Sequence, residues 1–285
     1  MTEKCDIVKV QLGAQAVYVV DTPGFDDTDR TQGDLLEDIS TFLAAQHALG
    51  LQLRGIIYLH RITDPKVQGS TLNSFLMFKE ICGPEALGNV ILLTTMWDVV
   101  ESEAVGARRQ QELRDDFWAD MIESGSMVRK FDGSTAMAEA LVCRLLNKAP
   151  VVLQIQKDVM ENKKRLQDTK AGQRILPRIE SSLREKERHI ESLARDAESA
   201  RKRGAFDEER RIRERIGLET KEKLKQAESR KRLGMVLGPE ISLQVEEARK
   251  RSRFRSTISA FASFAGLTLA VVAHIVLPLV RVPTA

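Results

Sequence analysis

The sequence predicts an α/β head built on a mostly parallel sheet, then an α-helical, coiled-coil-like stalk, then a C-terminal transmembrane helix. Three observations predict this. Short apolar, β-branched runs alternate with amphipathic helical patterns over residues 1–150, charged helix dominates from 151 to 255, and residues 256–280 carry no formal charge. Alternation of strand and helix argues for a parallel sheet covered on both faces, and an uncharged run of this length reads as a membrane span.

In chain order, residues 7–12 and 16–20 flank Gly13 as a hairpin, and later strands fall at 55–59, 90–94 and 127–131. Between them lie helical patterns. The first holds Leu35, Leu36, Ile39, Phe42 and Leu43; the second holds Leu72, Phe75, Leu76, Phe78 and Ile81, behind a cap at Ser70. A third holds Leu113, Phe117 and Met121, and a fourth runs from 136 to 146. Cys5, Cys82 and Cys143 are odd in number and widely spaced, which points to a reducing compartment and away from a cysteine metal site.

Charge divides the chain in two. Residues 1–150 hold 14 basic and 22 acidic side chains, and residues 151–285 hold 30 and 19, so an acidic head precedes a basic tail. In the tail Arg and Glu alternate without interleaved aromatic residues, which reads as a solvated helical face and excludes a nucleic-acid surface.

Two strand ends carry chemistry. The stretch VYVVDTPGFDDT, residues 17–28, places Asp21 at the carboxyl end of a buried strand and Gly24 three residues on. Ligands bind at that end of α/β sheets. A carboxylate there holds Mg²⁺, often through water, and a glycine lets a backbone N–H approach a terminal phosphate. Asp-Thr-Pro-Gly is also good turn chemistry, so a plain turn stays open. The second stretch, VILLTTMWD at 90–98, ends in Thr94, Thr95 and Asp98. A carboxylate in such a loop accepts two hydrogen bonds from guanine, a donor pair adenine lacks; the rival role for Asp98 is to cap the helix that follows. His60 and Arg61 face a nucleotide or partner, or form a strand-end pair with Asp64. The acidic run Asp26, Asp27, Asp29 lacks calcium-loop spacing.

With both loops in register, residues 1 to about 175 resemble the G domain of septin-like GTPases, the group with the immunity-associated and chloroplast-import receptor GTPases, and are most similar to fungal G domain-containing proteins. The segments that carry this are DTPGFDDT at 21–28, GIIYLHRITD at 55–64, LMFKEICG at 76–83, TTMWD at 94–98, and LQIQK with DTKAG at 153–172. The resemblance implies a three-layer P-loop GTPase-like sheet binding GTP or GDP with Mg²⁺. It makes Asp21 and Gly24 the γ-phosphate and Mg²⁺ switch, and Thr95 and Asp98 the base-recognition loop. Thr2 in MTEKC resembles the threonine of a first switch, whose hydroxyl touches Mg²⁺.

Against this pattern Met96 stands where such loops carry Lys, and Phe25 stands where efficient small GTPases carry the Gln that orients water, so hydrolysis is not expected. The loop G-x-x-x-x-G-K-(S/T) occurs nowhere in the chain, and with it the first, central strand is missing. Two readings stay open: the chain continues upstream of Met1, or it is a degenerate relative.

In the stalk Ile179, Leu183, Ile190, Leu193, Ala197 and Ala200 form a seam interrupted by Lys186. Gly172 with Pro177, Gly204, Gly217, Gly234 and Gly238-Pro239 break it, which favours a helical hairpin on the head over a long homodimeric coil. A homo-oligomer through the G domain or stalk is the expected assembly.

As a helix, residues 258–280 span about 35 Å against a hydrocarbon core of about 30 Å. Arg249, Lys250, Arg251, Arg253 and Arg255 precede the run and Arg281 follows it. That asymmetry puts the head in the cytosol, and without an N-terminal signal the segment reads as a single-pass tail anchor. The rival reading buries it against the head. The expected function is a guanine-nucleotide-binding, membrane-anchored switch; the alternative is a membrane-tethered, non-enzymatic helical scaffold with a degenerate G domain.

Overall fold

The computed structural model describes residues 6–24, 30–64, 69–251 and 274–280. The strands are β1 (Asp6–Leu12), β2 (Gln15–Pro23), β3 (Gln52–Leu53), β4 (Ile56–Arg61), β5 (Val90–Thr95), β6 (Met127–Lys130) and β7 (His274–Val280). The helices are α1 (Gln32–Ala48), α2 (Ser70–Cys82), α3 (Glu103–Glu112), α4 (Ala119–Glu123), α5 (Thr135–Leu146), α6 (Gln154–Gln156), α7 (Lys170–Lys202), α8 (Phe206–Leu233) and α9 (Leu237–Arg251).

One sheet runs β1-β2-β7-β4-β5-β6, with β3 paired to β7. Strands β4, β5 and β6 are parallel. The β1–β2 hairpin turns at Gly13, which takes the left-handed φ of +59° that favours glycine. Side chains alternate across the central strands. Ile56, Val90 and Leu92 pack toward α1 and α2, with Phe42, Phe75, Phe78 and Trp118 fully buried, while Ile57, Ile91 and Leu93 meet Leu141 and Leu145 of α5.

The predicted fold class needs two corrections. The protein is mostly helical, and its sheet is mixed rather than a three-layer, P-loop GTPase-like parallel sheet. The reason is β7, which enters between β2 and β4 and runs antiparallel to both. A sheet missing one central strand leaves a row of backbone donors and acceptors unpaired on each side, and an apolar, β-branched segment from the far end of the chain satisfies them.

The same strand overturns the transmembrane helix and the single-pass, cytosol-facing localisation. His274–Val280, the last seven residues of the expected span, is strand, and among the described residues no helix is long and apolar enough to cross a membrane. A continuous apolar run serves a buried strand as well as a span. Residues 252–273, which include most of the expected helix, lie outside the described residues.

The stalk is an antiparallel hairpin. Gly204, at φ +74°, reverses the chain between α7 and α8. Ile179, Leu193, Ala197 and Ala200 are buried along α7, and the polar seam residue Lys186 reaches across to Glu219 at 3.1 Å and to Glu222. Gly172 and Pro177 do not break the helix. Thr169 caps α7, its Oγ1 accepting from the N–H of Gly172 at 3.0 Å, and a Cβ on Gly172 would stand 1.9 Å from the Leu166 carbonyl oxygen. That glycine is a close-packing residue. The cap expected at Ser70 also moves, since Gly69 is the N-cap of α2.

Candidate functional site

Because β7 is antiparallel to β2 and to β4, β2 is parallel to β4 and β5. The carboxyl ends of β2, β4 and β5 therefore share one sheet edge. Asp21 lies near the end of β2 with Gly24 just beyond it, and Thr95 closes β5 with Asp98 three residues on. Three strand spacings, about 14 Å, separate β2 from β5. The edge thus brings together four of the five expected binding residues. The fifth, Thr2, lies outside the described residues, as do Phe25, Asp26, Asp27 and Asp29.

Asp21 is half-buried and Gly24 is buried. Among the described residues no group of three or more His, Cys, Asp or Glu side chains is arranged to hold a metal ion. A Mg²⁺ held by Asp21 would need its remaining ligands from water, phosphate or residues outside those described.

The loop after β5 is more informative. Met96 takes a left-handed φ of +61°, which turns the chain sharply. The Trp97 indole N–H reaches the Thr94 hydroxyl at 3.0 Å and the Thr94 carbonyl at 3.2 Å. Lys130 Nζ sits 4.1 Å from the ring centroid. Gly106 packs against the same ring, where a Cβ would come within 2.7 Å of Cζ3. The loop is therefore anchored through Trp97, while Asp98 is exposed. The helix-cap role weighed for Asp98 belongs to Ser102, whose Oγ accepts from the N–H of Val105 at 3.3 Å. Thr95 Oγ1 donates to the His60 carbonyl at 3.4 Å, tying this loop to β4.

Arg61 takes the structural reading, while His60 does not join it in pairing with Asp64. Arg61 Nε pairs with Asp64 at 3.3 Å, and His60 is buried edge-on to Trp118 with ring centroids 5.9 Å apart.

A polar cluster that the sequence did not reveal lies at the start of α1. Thr31 caps α1, accepting from the Asp34 N–H at 3.1 Å, and its hydroxyl lies 2.6 Å from that of Ser229 on α8. Arg232 of α8 donates to Glu37 at 2.6 Å and to Asp34, while Arg30 donates to Asp38. The α1 and α8 partners are about 200 residues apart in sequence, so no local pattern marks those contacts, whereas Arg30 and Asp38 are close in sequence. This cluster joins the start of α1 to the hairpin.

Burial raises the Glu37 carboxyl above its ordinary pKa, with the Arg232 charge only partly offsetting it. Asp38 is pushed up to about 7 by burial, against the attraction of Arg30. The folded state therefore binds more protons than the unfolded chain between about pH 4 and pH 7, and stability falls as pH rises through that window. A shift of about 3 units corresponds to at most about 4 kcal/mol. The melting temperature is expected to drop between pH 5 and pH 8, and Asp38→Asn to flatten that profile; thermal melts that are equally steep in the variant would contradict the assignment.

No protein-family model matches the chain, and a search of curated proteins finds no significant match.

Proposed function

We propose that this chain is a guanine-nucleotide-binding switch of the septin-like type, with the α7–α8 hairpin as its output arm. One observation carries the reading. Asp98 stands exposed in a loop anchored by Trp97 and is relieved of helix capping by Ser102, so a carboxylate is held at the sheet edge without that structural duty. Asp21 and Gly24 end a parallel strand on the same edge and are the groups that would serve Mg²⁺ and the terminal phosphate. Bound Mg²⁺ would neutralise phosphate charge; the chain's own part is to select the base, position the phosphate end and pass the change through Thr31, Asp34 and Glu37 to Ser229 and Arg232 of the hairpin.

Ligand-observed NMR at millimolar nucleotide tests this. The expected result is a stronger signal for GTP than for ATP, with the preference lost in Asp98→Ala. Equal signals from both nucleotides in the native chain would remove the base-recognition assignment.

A second reading, a non-enzymatic helical scaffold with a degenerate G-domain-like head, is favoured by β7. His274 pairs with Thr22 and Pro23, so the chain enters the sheet beside the D-x-x-G loop, where the resemblance calls for a phosphate-binding loop leaving its strand. The sequence just before His274, LTLAVVA, holds one hydroxyl, Thr268, and no Lys or glycine to hold phosphate. The absence of any nucleotide signal at millimolar concentration would select this reading.

A further inference from the structure

We propose that β7 is an exchangeable strand, and that two copies of this chain trade it so that each completes the other's sheet. The inference stands on sheet topology and does not depend on nucleotide binding.

Among the described residues β7 alone bridges β2 to β4, so without it the sheet divides. It is secured unevenly. Toward β2 its ladder covers its whole length, but with a register shift at Asp21 and Thr22. On the other side Ile275 and Val276 pair with Tyr58 and Ile57 of β4, Leu279 and Val280 pair with Leu53 and Gln52 of β3, and the intervening Leu277 and Pro278 have no registered partner there. Proline has no N–H to give a ladder and is normally confined to strand edges and bulges. A central strand with a proline and an interrupted ladder is easier to withdraw than an unbroken one.

Between the end of α9 at Arg251 and His274 stand residues 252–273, a stretch of chain whose extended reach is about 75 Å. The occupant that fits best is a second copy of residues 274–280, because it remakes every backbone pair that the resident strand makes. Exchange of an identical element is a low-cost route to a closed dimer, governed by protein concentration against the effective concentration of the tethered strand.

Disulfide trapping in the full chain tests this. In a background with Cys5→Ser, Cys82→Ala and Cys143→Ser, one tagged copy carries Val17→Cys and a differently tagged copy carries Val280→Cys. The two positions are register partners across β2 and β7. Opposed antiparallel residues have Cα atoms about 4.5–5.5 Å apart, within disulfide range. The expected result is a cross-chain disulfide carrying both tags, its yield rising with concentration from micromolar toward millimolar, and a same-chain disulfide in the double variant at low concentration.

A double variant that closes its own disulfide while mixed copies never cross-link would overturn exchange. A double variant that fails to close would also overturn it, because β7 would then not occupy the slot. Should the cysteine variants misfold by circular dichroism, light scattering on the native chain decides against exchange if the mass stays that of a monomer as concentration rises.

Discussion

A chain ending at Ala273 is expected to lose the cooperative unfolding of its head while keeping much of its helical circular dichroism. Deleting residues 274–285 removes the strand that joins β2 to β4, and with it the ladder running from Val17 to Pro23 on one side and the pairs to β3 and β4 on the other. Each backbone hydrogen bond contributes about 0.5–1.5 kcal/mol net. Several lost together, with fully buried Val17 and Val20 opened to water, rival the whole stability of about 5–15 kcal/mol typical of a domain. The outer part of the α7–α8 hairpin keeps Leu193, Ala197 and Ala200 in its own seam and is less affected. Near-ultraviolet dichroism from buried Trp118 and hydrogen exchange at β4 and β5 report on the head separately from the hairpin. Unchanged protection at Ile57 and Ile91 in the shortened chain would mean that β7 does not complete the sheet.

Much of the head was legible because parallel strands buried on both faces read as unbroken apolar runs. The strands at β2, β4 and β5 therefore fall close to where the sequence puts them, edge strand β6 falls there too although it is only partly apolar, and Gly13 marks the hairpin. The segment HIVLPLV was misread for the same reason. Continuous apolar sequence has no period that separates a core strand from a membrane helix, and the gap it fills is a property of the assembled sheet.

Glycine and proline misled in a different way. Gly172 and Pro177 look like a break, yet Gly172 is required for contact with the Leu166 carbonyl and α7 continues through Pro177. At the site, the placement of Asp98 was legible, whereas its release from capping became visible only once Ser102 was seen to hold that role. In the cluster at the start of α1, Arg30, Asp34, Glu37 and Asp38 are neighbours in sequence, but Arg232 and the burial that raises the Glu37 and Asp38 carboxyls come from tertiary packing and had no sequence signal.

The second large effect concerns nucleotide affinity. A phosphate-binding loop supplies backbone amides, a lysine and a hydroxyl, and charge-assisted hydrogen bonds of this kind contribute about 1.5–3 kcal/mol each, so losing about four removes roughly 6–12 kcal/mol. A micromolar complex amounts to only about 8 kcal/mol. In this chain the place of the strand that would carry the loop is taken by β7, running the opposite way, and the motif is absent from the sequence. Base recognition at Asp98 can then leave a preference for guanine without appreciable grip on the phosphates. Calorimetric titration of the full 285-residue chain with GTP and Mg²⁺ at micromolar protein measures this most directly. No heat of binding above dilution is the predicted result, and a micromolar dissociation constant would show that the phosphates are held by groups other than the missing loop, contradicting the place given to β7.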